Sequence, residues 1–266
     1  MIDVGVSTAS LYPLYTELAL KELAQRGVKL VEIFFNSSSE IEKSYVYELK
    51  KTIDEYDIKI PSMHPYTCCA EPFMFFTQYE RRFLDILDYY KRYFEVMNIL
   101  GAKVFVFHGN NVNNMFPHNQ YFQRYNKLYE QGQKAGITVA QENVSRCFSG
   151  GLDFELEMIN QLGDNAKFVL DTKQAVRRGY DPIDFLNKIG KNVAHIHISD
   201  YGKKGDCLLL GDGDLKLDKL INLLNYYQYS KSIILEVYTN CYNNYDELSN
   251  NQKYIEDIVR NRVNSE

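Results

Sequence analysis

Short runs of apolar residues alternate along the chain with longer stretches in which apolar residues recur at helical spacing. The short runs are rich in β-branched and aromatic residues and are nearly continuous in apolar character, which is typical of parallel strands covered on both faces. They predict eight strands, at residues 2–7, 29–35, 58–64, 102–108, 137–143, 167–171, 193–199 and 232–237. Strands that alternate with helices favour a parallel sheet.

The longer stretches predict amphipathic helices. They lie within residues 13–27, 76–101, 119–136, 181–190, 215–229 and 245–263. Gly27 and Gly190 mark C-terminal ends, and Pro182 lies in a first turn. Eight strand–helix units predict an α/β fold of the TIM-barrel type, as one domain over residues 1–266. An open doubly wound sheet is the alternative, but no G-x-G-x-x-G follows the first strand.

Composition narrows the classes of protein. A formal net charge of -5 argues against the basic face that nucleic-acid binding needs, so no nucleic-acid partner is expected. The five cysteines are odd in number and contain no C-x-x-C, which fits neither a disulfide framework nor a zinc finger. The first residues do not resemble a signal peptide, and no apolar run approaches the roughly 18 residues of a membrane span. We therefore expect no membrane partner and a cytoplasmic location.

A polar side chain stands near the C-terminal end of every predicted strand. These residues are Ser7, Glu32, His64, His108, Glu142, Asp171, His197 and Glu236. In a TIM barrel such positions converge on the mouth where active sites lie. Several buried carboxylates are costly unless a cation or another partner compensates them, and one divalent ion is the simplest compensation.

Seven short motifs in order give the chain a resemblance to a known family. They are VEIFF (31–35), MHPY (63–66), VFHGN (106–110), QEN (141–143), LDTKQA (170–175), HIHISD (195–200) and ILEV (234–237). The chain resembles the sugar phosphate isomerase/epimerase family of the xylose isomerase-like TIM barrel superfamily over nearly its whole length. That superfamily also includes a metal-dependent apurinic endonuclease. The resemblance implies the same barrel and a metal-dependent enzyme.

The resemblance also implies a metal-ligand set. In relatives of the epimerase type, a Glu, an Asp, a His and a second Glu from strands five to eight hold one divalent ion. The matching residues are Glu142, Asp171, His197 and Glu236. Three carboxylates and one imidazole favour Mn²⁺ in the first place, with Mg²⁺, Co²⁺ or Zn²⁺ as alternatives.

Two histidines share one face of the seventh strand, because residues two apart in a strand point the same way. His197 matches the family ligand. His195 would lie one layer deeper, and we interpret it as a hydrogen-bonded core residue or a group that orients its neighbours. For Asp200, the sequence leaves open whether it fixes a loop, accepts a hydrogen bond from a ligand or is solvated.

Six further residues are predicted to contact substrate: Glu32, His64, His108, Lys173, Gln174 and Arg177. Many relatives carry His three residues after the strand-six Asp, whereas this chain has Gln174, which can hydrogen-bond a hydroxyl but cannot shuttle a proton. Lys173 and Arg177 either steady an enediolate or a phosphate, or are simply exposed. His64 and His108 match positions that bind additional zinc in the endonuclease and line the pocket in single-metal relatives.

The predicted function is a metal-dependent isomerase or epimerase of a small sugar or sugar phosphate. Glu142 and Glu236, expected on opposite sides of the pocket, would be the catalytic pair that removes and returns a proton through an enediolate. The alternatives are an inosose-type dehydratase, an apurinic endonuclease-like nuclease and a non-catalytic sugar-binding barrel. Gln174 and the absence of a family Asp-x-His pair near Asp212 count against the nuclease. Homo-oligomerisation is compatible with the sequence.

Overall fold

Eight parallel strands form a closed barrel in the computed structural model, which describes residues 2–263 and the side chains of residues 2–261. The strands are β1 (Asp3–Ser7), β2 (Val31–Phe34), β3 (Ser62–His64), β4 (Val104–Phe107), β5 (Thr138–Glu142), β6 (Phe168–Asp171), β7 (Val193–Ile198), β8 (Asp200–Gly202), β9 (Gly205–Leu208) and β10 (Ser232–Leu235). β8 and β9 pair only with each other, and the other eight follow the order β1-β10-β7-β6-β5-β4-β3-β2. The predicted TIM barrel is confirmed, and an open sheet is excluded.

Each predicted strand overlaps one barrel strand, but the predicted runs are longer than the strands. The largest excess is at residues 58–64, where the barrel strand is only Ser62–His64. Pro61 stands directly before β3 and has no backbone N–H to donate to a neighbouring strand. The antiparallel hairpin β8–β9 was not predicted, because it follows β7 after a single residue and its strands are very short.

The helices are α1 (Thr16–Gln25), α2 (Lys43–Glu55), α3 (Glu71–Met74), α4 (Glu80–Leu100), α5 (His118–Lys134), α6 (Leu152–Leu162), α7 (Thr172–Arg177), α8 (Pro182–Ile189), α9 (Leu217–Tyr226) and α10 (Asp246–Val263). The six predicted helical segments coincide with α1, α4, α5, α8, α9 and α10. The sequence reasoning missed the short helices α3 and α7 and the longer α2 and α6, although Val46, Leu49 and Ile53 of α2 are buried at helical spacing. None of the described helices combines the length and the apolar character needed to cross a membrane.

Side-chain alternation decides which residues face the barrel interior. Phe105 and Phe107 of β4 pack against Tyr90 of α4, with ring centroids 5.3 and 6.4 Å apart. Because successive residues in a strand face opposite ways, Val106 and then His108 point inward. A small apolar cluster, separate from the large core, contains Val104, Val106, Ala140, Val169 and Ala194. Inward-facing polar side chains therefore lie at the C-terminal end of a barrel whose neighbouring interior is apolar.

Strand register brings the predicted metal ligands to the same level. Asp171 on β6 and His197 on β7 are direct partners in the sheet. On the other side of β7, His197 pairs with Ile234 of β10, and Glu236 follows two residues later, directly beyond the strand. Glu142 is the last residue of β5, next to β6. Four adjacent strands thus present these side chains at one rim.

Candidate metal centre and active site

The four predicted metal ligands converge around Nδ1 of His197. This atom lies 3.3 Å from Oε1 of Glu142 and 3.2 Å from Oε2 of Glu236. Ligand atoms of Glu142, Asp171 and His197 all lie within 4.8 Å of one another. Three of the four side chains are almost fully buried, and the Glu236 side chain is 15% exposed. Glu236 is therefore the most solvent-accessible of the four side chains.

Glu32 controls the orientation of His197 from the opposite side of the ring. Its Oε2 lies 3.0 Å from Nε2 of His197, and its two oxygens also accept hydrogen bonds from Ser7 Oγ and Ser62 Oγ. A partner at Nε2 fixes the ring so that Nδ1 faces the two glutamates. Glu32 is fully buried. This position favours a role in orienting His197 over the predicted direct contact with substrate.

His195 lies one layer below His197, as the sequence analysis expected. Its Nε2 is 3.1 Å from the same oxygen of Glu32, and the two imidazole rings meet edge to face with centroids 5.3 Å apart. Burial lowers the pKa of His195, so its ring is neutral. It is a hydrogen-bonded core histidine that supports Glu32.

Lys173 is buried inside the cluster rather than exposed. Its ammonium donates hydrogen bonds to Oδ2 of Asp171 and, at 2.8 Å, to Oε1 of Glu236. Burial works against the charge, but Asp171, Glu236 and Glu142 outweigh it and raise the pKa of Lys173 well above its ordinary value. Lys173 is therefore a fixed positive charge between two of the proposed metal ligands, and the exposed alternative is excluded.

Burial and neighbouring charges shift the pKa values of the site residues in opposite directions. Burial, with smaller contributions from Glu142 and Glu236, raises the pKa of Asp171 to about 6 even though Lys173 acts to lower it. Burial also acts to raise the pKa of Glu142, but His108 and His197 hold it well below the ordinary value. Burial would lower the pKa of His197, yet Glu32 and Glu236 raise it overall. Positive charge therefore stabilises the buried carboxylates. A metal ion that binds Nδ1 of His197 would release the proton of this residue.

Two carboxylate oxygens in this cluster are poorly satisfied. Oε2 of Glu142 and Oε2 of Glu236 are buried and accept no hydrogen bond from any described residue, although ring nitrogens of His108 and His197 lie 2.8 and 3.2 Å away. Buried acceptors without partners are costly. A cation beside His197 Nδ1 would lie next to Oε1 of Glu142 and would satisfy Oε2 of Glu236, whereas Oε2 of Glu142 faces His108. The residues around His197 Nδ1 therefore fit a divalent ion.

Gln174 and Arg177 both make contacts within the protein. Oε1 of Gln174 accepts a 3.0 Å hydrogen bond from the backbone N–H of Ser145, which joins α7 to the loop after β5. Nε of Arg177 donates to Asp206 of β9 at 2.6 Å, and its Nη1 donates to the hydroxyl of Tyr238 at 2.8 Å. Arg177 therefore ties the hairpin to the segment after β10. Direct contact of either residue with substrate stays a prediction.

His64 and His108 lie next to Glu142, on the side away from Asp171. Their Nε2 atoms are 2.7 Å apart, and His108 Nε2 is the nearer of the two to Oε2 of Glu142. A cavity of about 570 Å³ opens beside them, and Cys68 and Gly109 form part of its wall. Neither His64 nor His108 is among the residues that line this cavity, and their contact with substrate stays a prediction.

The sequence analysis did not identify some of the residues that support the site. Asn143 exchanges hydrogen bonds with the backbone of Asp171, with its Oδ1 accepting at 2.7 Å and its Nδ2 donating at 3.0 Å. Ser62 could have been found, because it lies two residues before His64 and so shares its face of the strand. Asp200 is buried and accepts hydrogen bonds from backbone N–H groups including that of Gly211, so it fixes the following loop and is not solvated.

A comparison with protein-family models assigns the chain to a family. The model described as xylose isomerase-like TIM barrel matches residues 20–259. The protein belongs to this family of xylose isomerase-like TIM barrels. No curated protein gives a significant sequence match.

Solved structures show the same fold at low sequence identity. A D-tagatose 3-epimerase-like protein has a TM-score of 0.79 at 19% identity, with 98% of this chain and 100% of that chain covered. D-psicose 3-epimerase has a TM-score of 0.77 at 12% identity, with 97% and 98% covered. The IolI protein with a bound zinc atom has a TM-score of 0.77 at 17% identity, with 98% and 99% covered. At these identities the likeness establishes the fold alone.

Proposed function

We propose that the protein is a divalent-metal-dependent isomerase or epimerase that acts on a small sugar or sugar-like ketone. The observation that carries this proposal is the convergence of Oε1 of Glu142 and the unsatisfied Oε2 of Glu236 on Nδ1 of His197. Each glutamate can direct one oxygen to an ion and keep the other for a proton. The ligand set is mostly oxygen, which favours Mn²⁺ or a similar ion.

A bound divalent ion would polarise the substrate carbonyl and the neighbouring hydroxyl, which makes the C–H between them more acidic. Glu142, whose pKa is held low, is ionised and can accept that proton. The substrate is then an enediolate. Glu236, after taking up a proton, returns one from its own side of the pocket. Return to the other face of the same carbon inverts it, and return to the neighbouring carbon exchanges aldose and ketose.

The two glutamates are separated around the barrel without being diametrically opposed, which supports the proposal that they act from different sides of the substrate. Glu142 ends β5 and Glu236 follows β10, so β6 and β7 lie between them in the ring of eight strands. Lys173 is bonded to Glu236 and also supplies positive charge near the developing oxyanion. The differing surroundings of the two carboxylates suit two different proton-transfer roles.

An inosose-type dehydratase is the second candidate, and the position of His108 favours it. Its Nε2 lies 2.8 Å from the proposed base Glu142. Burial lowers the pKa of His108, so the proton that Glu142 removes would reach the leaving hydroxyl, on the carbon next to the enediolate, through His108. The first step would be unchanged, and water would be lost in place of proton return.

Solvent deuterium incorporation tests the proposal. Protein loaded with Mn²⁺ is incubated in D₂O with ketoses, ketose phosphates and inososes, and the products are analysed by NMR and mass spectrometry. We expect turnover of at least one ketose with deuterium at the carbon between the two chelating oxygens. Loss of water from an inosose would favour the dehydratase. Cleavage of abasic DNA without sugar turnover would refute both candidates.

A further inference from the structure

The cavity of about 570 Å³ adjoins the candidate site at the C-terminal end of β4. Gly109, which lines the cavity, directly follows His108, and Nε2 of His108 lies 2.8 Å from Oε2 of Glu142. This volume falls within the range of about 300–1,000 Å³ that is typical of small-molecule sites. The cavity can therefore hold a part of a ligand that extends beyond the candidate metal centre.

Arg146 brings an unpaired positive charge to the wall of this cavity. Its guanidinium makes no hydrogen bond or ion pair with any described residue. Burial raises the pKa values of Cys68 and Cys147, which line the same cavity, and the charge of Arg146 acts against this rise. No Asp or Glu is among the described residues that line the cavity. The cavity therefore presents a positive charge with which an anionic group of a ligand can pair.

The backbone at Arg146 is held in place by the loop after β4. The backbone N–H of Val112 donates to the carbonyl oxygen of Arg146 at 3.1 Å, and Asn111 and Cys147 form an antiparallel bridge. Oδ1 of Asn111 accepts a 2.9 Å hydrogen bond from the backbone N–H of Asn113, which leaves the N–H₂ group of Asn111 as a donor in the same cavity. A guanidinium and an amide donor on a fixed loop are suited to binding a carboxylate.

Two cations that the sequence suggested as phosphate contacts already have carboxylate partners. Lys173 donates hydrogen bonds to Asp171 and Glu236, and Arg177 pairs with Asp206 at 2.6 Å. An anionic group of a substrate would have to compete with these carboxylates. No such competition exists at Arg146.

The loop after β7 is also filled by a carboxylate of the protein itself. TIM barrels frequently bind phosphate in the loops after the seventh and eighth barrel strands. Here the backbone N–H groups of Gly211 and Gly213 donate to Oδ2 of Asp200 at 2.9 and 3.0 Å, and that of Leu215 donates to Oδ1 at 2.9 Å. Asp200 thus takes the place that a phosphate would need in this loop.

We propose that the cavity beside Gly109 receives a carboxylate at one end of the substrate, with Arg146 as its counter-ion, so that the substrate is a sugar acid. This inference rests on the proposed function for the sugar part of the ligand. One guanidinium matches the single charge of a carboxylate and can bind both of its oxygens, whereas a phosphate ester carries a charge of about −1.5 to −2 at pH 7. Arg146 then determines specificity and takes no part in proton transfer.

Calorimetric titration of the Mn²⁺-loaded protein tests the subsite with ligands that cannot be turned over. D-Sorbitol, D-gluconate and D-sorbitol 6-phosphate share a six-carbon chain and have no aldehyde or ketone, so none of them can form an enediolate. We expect gluconate to bind about 10–100-fold more tightly than sorbitol, which is the range for hydrogen bonds to a charged group. Sorbitol 6-phosphate should gain less than gluconate. Because a carboxylate can also bind Mn²⁺, the deciding measurement is the part of this preference that depends on Arg146.

Variants of two arginines isolate that part. Arg146→Gln should reduce the preference for gluconate over sorbitol by about 10-fold or more and leave the affinity for sorbitol unchanged. Arg146→Lys should keep some of the preference, because lysine retains the charge and loses the planar fork. Arg178→Gln is the matched control and should keep all of it. Arg178 is an exposed arginine at the C-terminal end of α7, outside the cavity, so this variant loses the same charge elsewhere.

The outcomes separate this proposal from the proposed function. A preference for gluconate that is absent in the wild type, persists in Arg146→Gln or falls equally in Arg178→Gln would overturn the subsite. Tighter binding of sorbitol 6-phosphate than of gluconate would overturn the carboxylate assignment. A preference that depends on Arg146, in a protein that turns over no sugar, would support the subsite and count against the proposed function. Turnover of neutral ketoses without any preference for gluconate would support the function and overturn the subsite.

Discussion

Glu32 lies beside Nε2 of His197, the ring nitrogen that does not face the glutamates. Replacing Glu32 therefore tests whether His197 binds a metal through Nδ1. Oε2 of Glu32 lies 3.0 Å from His197 Nε2 and 2.7 Å from Ser62 Oγ. In Glu32→Gln, the side chain keeps its size and one carbonyl oxygen can still accept a hydrogen bond from His197. The negative charge is lost, and the new amide N–H₂ group cannot accept from either partner.

The expected loss of metal affinity follows from the burial of Glu32. Outer-shell partners of metal-bound histidines typically contribute about 10–100-fold in affinity. This range corresponds to about 1.4–2.7 kcal/mol at 25 °C, at 1.4 kcal/mol for each factor of ten. Glu32 is fully buried, so water and salt screen its charge weakly. We therefore expect the upper half of the range, a loss of about 30–100-fold for Mn²⁺.

Competition with a chelating dye measures the affinity, and Glu155→Gln provides the matched control. Glu155 is another fully buried glutamate, but it lies on α6 outside the candidate site. The control should bind Mn²⁺ as tightly as the wild type. Wild-type affinity in Glu32→Gln, or an equal loss in both variants, would refute the role of Glu32 as the orienting partner of a metal-binding His197.

Three further predictions have defined outcomes. Glu142→Gln and Glu236→Gln, each saturated with metal, should fold normally and lose about 10²–10⁴-fold in turnover of an identified substrate, since each lacks a proton-accepting oxygen. A wild-type rate in either variant would rule out a proton-transfer role for the residue replaced. His197→Ala should lose the ion that elemental analysis detects after Mn²⁺ loading, and undiminished manganese content would contradict the ligand assignment. Burial raises the pKa of Glu155 well above its ordinary value of 4.5, and neither carboxyl oxygen has a hydrogen-bond partner among the described residues. Below about pH 4.5, Glu155 is neutral in both the folded and the unfolded chain, and the free energy of unfolding has its full value. The free energy of unfolding then declines as pH rises through the raised pKa, by up to about 1.4 kcal/mol per pH unit. Urea unfolding between pH 5 and 8 should therefore show Glu155→Gln becoming more stable relative to wild type as pH rises, and a constant difference would refute this.

The fold could be read from the sequence because it depends on local pattern, whereas the predicted ligand set came from the resemblance to a family and stays a proposal. Buried parallel strands are nearly continuous in apolar residues, and each ends on a polar residue, such as Asp171 or His197, that must face the barrel mouth. The helical periodicity of apolar residues was weaker in α2, where three buried apolar residues stand among many charged ones. It was absent for the β8–β9 hairpin, whose strands are too short for a periodicity to emerge.

The surroundings of each site residue were decided by the tertiary structure. Lys173 stands two residues after Asp171, but its second carboxylate, Glu236, is 63 residues away along the chain, and the closure of the barrel brings them together. Glu32 and His197 are separated by 165 residues, but Oε2 of Glu32 lies 3.0 Å from Nε2 of His197 because both side chains point into the closed barrel, where β1 and β10 stand between β2 and β7. Apolar periodicity shows that a strand is buried and which face each residue takes. It does not encode the order and register of strands around a closed barrel, and these determine which charges meet and how far each pKa moves.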